Sequence, residues 1–107
     1  MGSFDDREQA FEKKHAHDAE MQFKATARRN KLLGLWAAGR MGRESDDAAA
    51  YAREIVTAGL AREGDAAVEA RLRADLDAAG ADASDLRAAM ERLSAEAKAQ
   101  VMAESGD

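Results

Sequence analysis

The chain of 107 residues contains no cysteine and no proline, and only five of its residues are aromatic. Without cysteine it can form neither a disulfide framework nor a thiolate site for zinc or an iron–sulfur cluster. Its longest apolar run, residues 32–39, is far shorter than the roughly 18 residues of a membrane span. The N-terminus is acidic, whereas a signal peptide begins with a basic and then an apolar region. We therefore expect one cytoplasmic domain without direct membrane insertion.

Alanine dominates the apolar part of the composition. Of the 49 apolar residues 27 are alanine, and Leu, Ile, Val and Phe together number only 15. Ala, Glu, Arg and Lys are strong helix formers, whereas β-branched and aromatic strand formers are scarce. The composition therefore predicts an all-α fold with a thin core and marginal stability, because alanine buries little area.

Glycines and capping residues divide the chain into helices. Glycine ends helices because it tolerates the left-handed conformation, and Gly42, Gly64 and Gly80 are the predicted stops. Ser45 or Asp46 is predicted to cap the second helix and Asp65 the third. Short connections favour antiparallel neighbours, so we expect a four-helix bundle over residues 19–107. The predicted helices lie near residues 19–41, 46–62, 65–79 and 84–103.

Apolar residues at helical spacing predict the buried face of each helix. Trp36, beside three leucines, is expected to belong to the core. The predicted stripes are Met21, Ala25, Leu32, Leu35, Trp36 and Gly39 in the first helix; Tyr51, Ala52, Ile55 and Gly59 in the second; Val68, Leu72, Leu76 and Ala79 in the third; and Leu86, Ala89, Met90, Leu93, Ala97 and Val101 in the fourth.

The first 18 residues, here called the arm, differ from the rest. Phe4 and Phe11 are seven residues apart, so both would lie on one stripe of a helix. The stripe continues through Asp18, which is not a core residue, and charged residues surround the phenylalanines. An isolated helix of this length is marginal in water. We predict a mobile, helix-prone arm that carries two aromatic anchors.

Charge is segregated along the chain. Residues 24–43 carry six bases and no acid, whereas residues 1–20 have a net charge of −3 and residues 44–107 a net charge of −8. This basic segment either pairs with its acidic neighbours or docks an acidic partner or a phosphate-bearing ligand. The second possibility leaves open a helical nucleotide- or nucleic-acid-binding module. Its predicted phosphate or nucleotide contacts are Arg28, Arg29, Asn30 and Lys31. No DNA partner is expected, because the chain is acidic overall and lacks the known recognition motifs.

The sequence offers no catalytic constellation. No serine lies in a nucleophile-elbow motif, and the glycines match no phosphate-binding loop. His15 and His17 are two residues apart, so on a helix they point to different faces and do not chelate a metal. A pH-sensing role fits histidine better. We expect neither an enzyme, nor a cofactor, nor a metal site.

Several stretches of the chain are distinctive: Phe4-Asp5-Asp6-Arg7-Glu8, Phe11-Glu12, Ala16-His17-Asp18, Phe23-Lys24, the run ARRNKLLGLWAA at 27–38, and Tyr51-Ala52-Arg53-Glu54. They closely resemble the zeta subunits of alphaproteobacteria, which inhibit the F-type ATP synthase. The resemblance spans nearly the whole chain, and the run at 27–38 is its most specific part. One position differs: His15 stands where the family pattern has an aromatic side chain.

The resemblance implies an inhibitor whose arm inserts into the catalytic sector of the ATP synthase, folds into a helix at an alpha/beta interface, and blocks rotation in the hydrolysis direction. It also implies contact with the central stalk and a location peripheral to the inner membrane. Phe4 and Phe11 would be the buried anchors, as aromatics often are at binding hot spots. Arg7, Glu8, Glu12 and Lys14 would set the register by charge. The remaining predicted partner-binding residues are Asp5, Asp6 and His17.

Overall fold

The computed structural model describes the backbone of residues 3–105 and the side chains of residues 17–105. Four α-helices and no strand are present in that part of the chain, which confirms the predicted all-α, four-helix fold. The helices are α1 (Ser3–Arg40), α2 (Ser45–Ala58), α3 (Asp65–Ala78) and α4 (Leu86–Ser105).

Helix α1 is the central element of the fold. It packs mainly against α2 and α4, and it makes fewer contacts with α3. Its 38 residues span about 57 Å, whereas the 20 residues of α4 span about 30 Å, at a rise of about 1.5 Å per residue. No neighbouring helix is therefore long enough to flank all of α1, and the molecule measures 65 × 27 × 23 Å.

The hydrophobic core joins all four helices. Tyr51 and Ile55 from α2 meet Leu72 and Leu76 from α3, and Leu86 from α4 closes the cluster. The predicted stripes of α2, α3 and α4 supply these residues. One member of the α3 stripe is wrong: Ala79 is exposed, because α3 ends at Ala78. The remaining core members are Leu33, Ala37, Ala38, Val68, Ala89 and Leu93.

The predicted stripe of α1 is wrong in phase. Leu33, Ala37 and Ala38 are fully buried, whereas Leu35 is exposed and Trp36 is only partly buried against the core. The physical reason is a close helix crossing at Gly34. A Cβ built on Gly34 would lie 2.6 Å from the Cα of Ala52, so α2 fits only against this small-residue face.

The helix ends agree only in part with those expected. Gly42 and Gly80 follow α1 and α3 in the left-handed region, with φ of +79° and +70°, as predicted. Helix α2 ends at Ala58, before Gly64, which instead precedes α3. Asp65 does not cap α3, because its carboxylate is bonded to Arg29.

Two further boundaries differ from the predicted ones. Glu44, rather than Ser45 or Asp46, occupies the N-cap position of α2, and it makes no side-chain capping bond. Helix α1 begins at Ser3 rather than near residue 19. The described part of the arm backbone, residues 3–18, is thus helical, as the helix-prone prediction requires, and the mobility of the arm stays a prediction.

Candidate interaction surface

The predicted partner-binding residues are carried by the N-terminal half of α1. Only the side chain of His17 is described, and it is exposed. The other eight side chains lie outside the described residues: Phe4, Asp5, Asp6, Arg7, Glu8, Phe11, Glu12 and Lys14. The backbone of these residues lies on one continuous helix, α1. The contacts of their side chains stay predictions.

The described part of α1 becomes more exposed towards the arm. Arg29 and Asn30 are buried, whereas every residue from 17 to 20 is exposed. An exposed pair between Lys24 Nζ and Glu20 Oε1, 3.2 Å apart, lies along this segment. Such i,i+4 pairs support a helix by only about 0.3–0.5 kcal/mol. The helix thus leaves the packed domain near its junction with the arm.

Two grooves flank α1 where it leaves the domain. The α2 groove lies between α1 and the end of α2, and the α4 groove lies between α1 and the end of α4. The α2 groove is lined by Ala19, Gln22, Phe23, Thr26, Ala27, Asn30, Val56, Gly59 and Leu60. The α4 groove is lined by His17, Asp18, Met21, Gln22, Ala25, Thr26, Ser94, Lys98, Val101 and Met102.

Large apolar side chains are exposed at both grooves. Phe23 is 62% exposed and Leu60 is 65% exposed, and both line the α2 groove. Met102, on the α4 groove, is 45% exposed. Single exposed apolar residues are ordinary on a protein surface, whereas contiguous exposed apolar patches mark interaction sites.

Arg28, a predicted phosphate contact, is engaged with α4. Its guanidinium donates to Gln100 Oε1 and to Glu104 Oε2, each at 2.8 Å. The hydrogen bond from Arg28 lowers the pKa of the Glu104 carboxyl below its ordinary value. A phosphate would have to compete with this carboxylate for the arginine.

Arg29 and Asn30 form a buried polar group inside the packing of α1. Arg29 donates to Asn30 Oδ1 from both Nε and Nη2, and its Nη2 lies 2.6 Å from Asp65 Oδ1. The hydrogen bond from Arg29 lowers the pKa of Asp65. The side chain of Arg29 is only 10% exposed. Of the four predicted phosphate contacts, Lys31 is the most open to solvent.

At the other end of α1, Arg40 ties the helix to the segment before α4. Its guanidinium donates to both carboxylate oxygens of Asp85, at 2.6 and 2.7 Å, and stacks 4.4 Å from the centre of the Trp36 ring. The hydrogen bond from Arg40 lowers the pKa of Asp85. Three arginines of the basic segment therefore pair with acidic side chains elsewhere in the fold, as the first of the two possibilities for that segment expects.

A cluster around Tyr51 was not anticipated from the sequence. The Tyr51 hydroxyl donates to Asp75 Oδ2 at 2.7 Å, and Arg71 Nε donates to the same oxygen at 2.6 Å. Burial acts to raise the pKa of Asp75, but these two hydrogen bonds, together with the positive charges of Arg71 and Arg43, outweigh it, and the pKa is lowered. Burial, with the bond to Asp75, raises the pKa of Tyr51. The i,i+4 spacing of Arg71 and Asp75 was visible in the sequence; the link to α2 was not.

The described part of the chain lacks two kinds of feature. Between residues 3 and 105 no helix is long and apolar enough to cross a membrane. Among the described side chains, those of residues 17–105, no three His, Asp or Glu are grouped so that they could hold a metal ion.

Comparison with known proteins gives a family and a related structure. The family model described as ATPase inhibitor subunit zeta matches residues 1–100 of the chain. A structure solved by solution NMR is similar, with a TM-score of 0.69 and 48% sequence identity. That similarity covers 78% of this chain and 98% of the other. No curated protein gives a significant match.

Proposed function

The chain belongs to the ATPase inhibitor zeta-subunit family, and we propose that it blocks ATP hydrolysis by inserting its arm at a catalytic alpha/beta interface of the F-type ATP synthase. Membership of this family supports the ATP synthase as the partner. In this proposal the arm is the inhibitory element, it binds at the alpha/beta interface, and it also contacts the central stalk.

The observation that supports the arm most directly is the length of α1. Helix α1 extends well beyond the length that α2 or α4 can flank. Followed from Asn30 towards the N-terminus, its residues become exposed before they reach the arm. A helix that leaves its domain has an accessible circumference, which suits the helix-in-groove mode of recognition. The packed domain, residues 19–107, then acts as the carrier of the arm.

The sequence of the arm suits a groove between two subunits. Phe4 and Phe11 are two helical turns apart, so a single wall of the groove can receive both rings. The charges of Arg7, Glu8 and Glu12 are then available to the rim, where they set orientation and register rather than affinity. If the free arm is mobile, its ordering on binding lowers affinity and favours reversible inhibition.

The proposal is tested by ATP hydrolysis with an ATPase from which the zeta subunit has been removed. The full chain and a chain lacking residues 1–18 are titrated into the enzyme. We expect the full chain to inhibit and the truncated chain to have no effect at the same concentrations. Inhibition by the truncated chain would contradict the proposal.

The alternative function, nucleotide binding at the basic segment, is tested in the same assay. Two of its predicted contacts, Arg28 and Arg29, already bind carboxylates, so Lys31 is the residue most open to a phosphate. The variants Lys31→Gln and Arg28→Gln should leave inhibition unchanged if the arm is the inhibitory element. A loss of inhibition with an intact arm would favour the alternative.

A further inference from the structure

The exposed side chains of Phe23 and Leu60 form one small apolar surface beside the arm. Both line the α2 groove, and each is nearly two-thirds exposed. The groove between them is lined by Ala27, Val56 and Gly59 and includes no charged side chain. We call Phe23 and Leu60 the Phe23–Leu60 patch.

The patch has a fixed position relative to the arm. Phe23 lies on α1, which is one helix from Ser3 to Arg40. Position 23 is 12 residues beyond position 11, which is about 18 Å along the helix axis. A protein that binds the arm at Phe11 can therefore also contact the patch with a part of its surface about 18 Å away.

The area that a stable complex buries favours a contact larger than the two phenylalanines of the arm. Specific, stable complexes bury about 800 Å² on each partner. An apolar surface that is fixed to the same helix adds to the area that the arm can bury.

We propose that the Phe23–Leu60 patch is a second attachment point, which packs on the apolar surface of the ATPase that borders the arm's binding site. This inference rests on the proposed function of the arm and adds a second contact to the same complex. The occupant is the ATPase rather than a second copy of the chain, because the continuous helix α1 carries the patch to whatever binds the arm.

The first test is inhibition by the full-length double variant Phe23→Ser/Leu60→Ser. We expect its inhibition constant to rise at least tenfold with an unshifted thermal midpoint, because both side chains are largely exposed in the free chain. The matched control is Leu35→Ser, which alters another exposed apolar residue of α1 that lies outside the groove. Its inhibition constant should stay within twofold of the original.

A second test does not depend on the stability of a double variant. The chain has no cysteine, so Phe23→Cys and Leu35→Cys each provide a single site for an environment-sensitive fluorophore. Adding the zeta-free ATPase should shift the emission of the label at position 23 to the blue and leave the label at position 35 unchanged. A blue shift that appears when the labelled chain is concentrated alone would identify the patch as a self-association surface and overturn the inference.

The arm deletion separates failure of this inference from failure of the proposed function. If deletion of residues 1–18 abolishes inhibition but Phe23→Ser/Leu60→Ser inhibits normally and the label at position 23 does not respond, only the second attachment point is refuted. If the deleted chain still inhibits, the proposed function of the arm is refuted, and the inference that rests on it falls as well.

Discussion

Arg29 and Asn30 place polar side chains inside the helical packing, where a polar group is tolerated only when its hydrogen bonds are satisfied. Asn30 is 2% exposed, and its Oδ1 accepts twice from Arg29. Arg29 also reaches Asp65, 36 residues further along the chain. This group joins α1 to the start of α3, and Asn30 also lies against Gly59 at the end of α2.

The variant Arg29→Met should therefore lower the free energy of unfolding by about 1–3 kcal/mol, because Asn30 Oδ1 loses its donor in a buried site. Urea unfolding measures this. Arg28→Met is the matched control: the side chain of Arg28 is more exposed than that of Arg29, and exposed ion pairs contribute about 0–1 kcal/mol. Equal losses from the two variants would contradict the structural role assigned to Arg29.

Phe11→Ala tests the arm at the same scale. If the ring is a buried anchor in the complex, its loss costs about 2 kcal/mol, or about thirtyfold in affinity. The inhibition constant of the variant should rise at least tenfold, while its thermal midpoint stays unshifted. Glu12→Gln serves as the control, because an exposed charge contributes at most about 1 kcal/mol. A lowered midpoint with unchanged inhibition per folded molecule would instead show that Phe11 packs on its own domain.

At the scale of the elements, the crossing of α1 and α2 depends on the smallest side chains. Gly34 lies against the backbone of Ala52, and the space where its Cβ would be is occupied. Close approach buries Leu33 and Ala37 on the same face of α1. Small residues thus contribute more to the packing of this helix than the larger Leu35 and Trp36 beside them.

Gly34→Ala should consequently destabilise the fold by about 1–3 kcal/mol, because the added methyl group forces the helices apart. Gly39→Ala on the same helix is the control, since nothing lies within 4 Å of its built Cβ. It should stabilise by about 0.5–1 kcal/mol through better helix propensity. Thermal melts should show a lower midpoint for Gly34→Ala and a higher midpoint for Gly39→Ala. A higher midpoint for Gly34→Ala would contradict the close crossing of α1 and α2.

The link between α2 and α3 should make stability sensitive to acid. The pKa of Asp75 in the folded chain is below its ordinary value. The Asp75 carboxylate therefore stabilises the fold at any pH above the ordinary pKa of Asp, which is about 4. This stabilisation is lost as the pH falls from about 4 through the lower pKa of the folded state. Asp75→Asn should therefore be less stable than the original chain at pH 7 and lose less stability on acidification. Urea midpoints from pH 7 to pH 3 measure this, with the exposed Asp77→Asn as control. If the urea midpoint of Asp75→Asn depended on pH as steeply as that of the original chain, the stabilising role of the Asp75 carboxylate would be contradicted.

At the scale of the whole molecule, the core residues among the described side chains, 17–105, all lie after the arm. The buried apolar residues run from Leu33 to Val101, and the described side chains before Thr26 are exposed or only partly buried. The molecule thus has a packed domain and a helix that continues beyond it, which separates the part that is stable from the part that is proposed to act.

Deleting residues 1–18 should therefore leave the fold intact. The thermal midpoint measured by circular dichroism should shift by less than about 4 °C, since about 1 kcal/mol moves a domain of this size by roughly 4–8 °C. The helical signal should fall only in proportion to the residues removed. A shift above about 10 °C would show that the arm packs on the domain in the free chain.

The sequence by itself determined the features that depend on local energetics. Four helices, the stops at Gly42 and Gly80, and the buried faces of α2, α3 and α4 follow from helix propensity, from backbone freedom at glycine and from apolar spacing. The run at 27–38 was specific enough to indicate the family, which the family match over residues 1–100 confirms.

Only the tertiary structure decided the features that depend on residues far apart in the chain. The buried face of α1 is set by the approach of Gly34 to Ala52, which no periodicity within α1 reveals. Asp65 bonds Arg29 rather than capping α3, because a buried arginine needs a partner more than an exposed helix end does. The Phe23–Leu60 patch exists for the same reason: residues 37 positions apart are brought to one groove by the packing of α1 against α2.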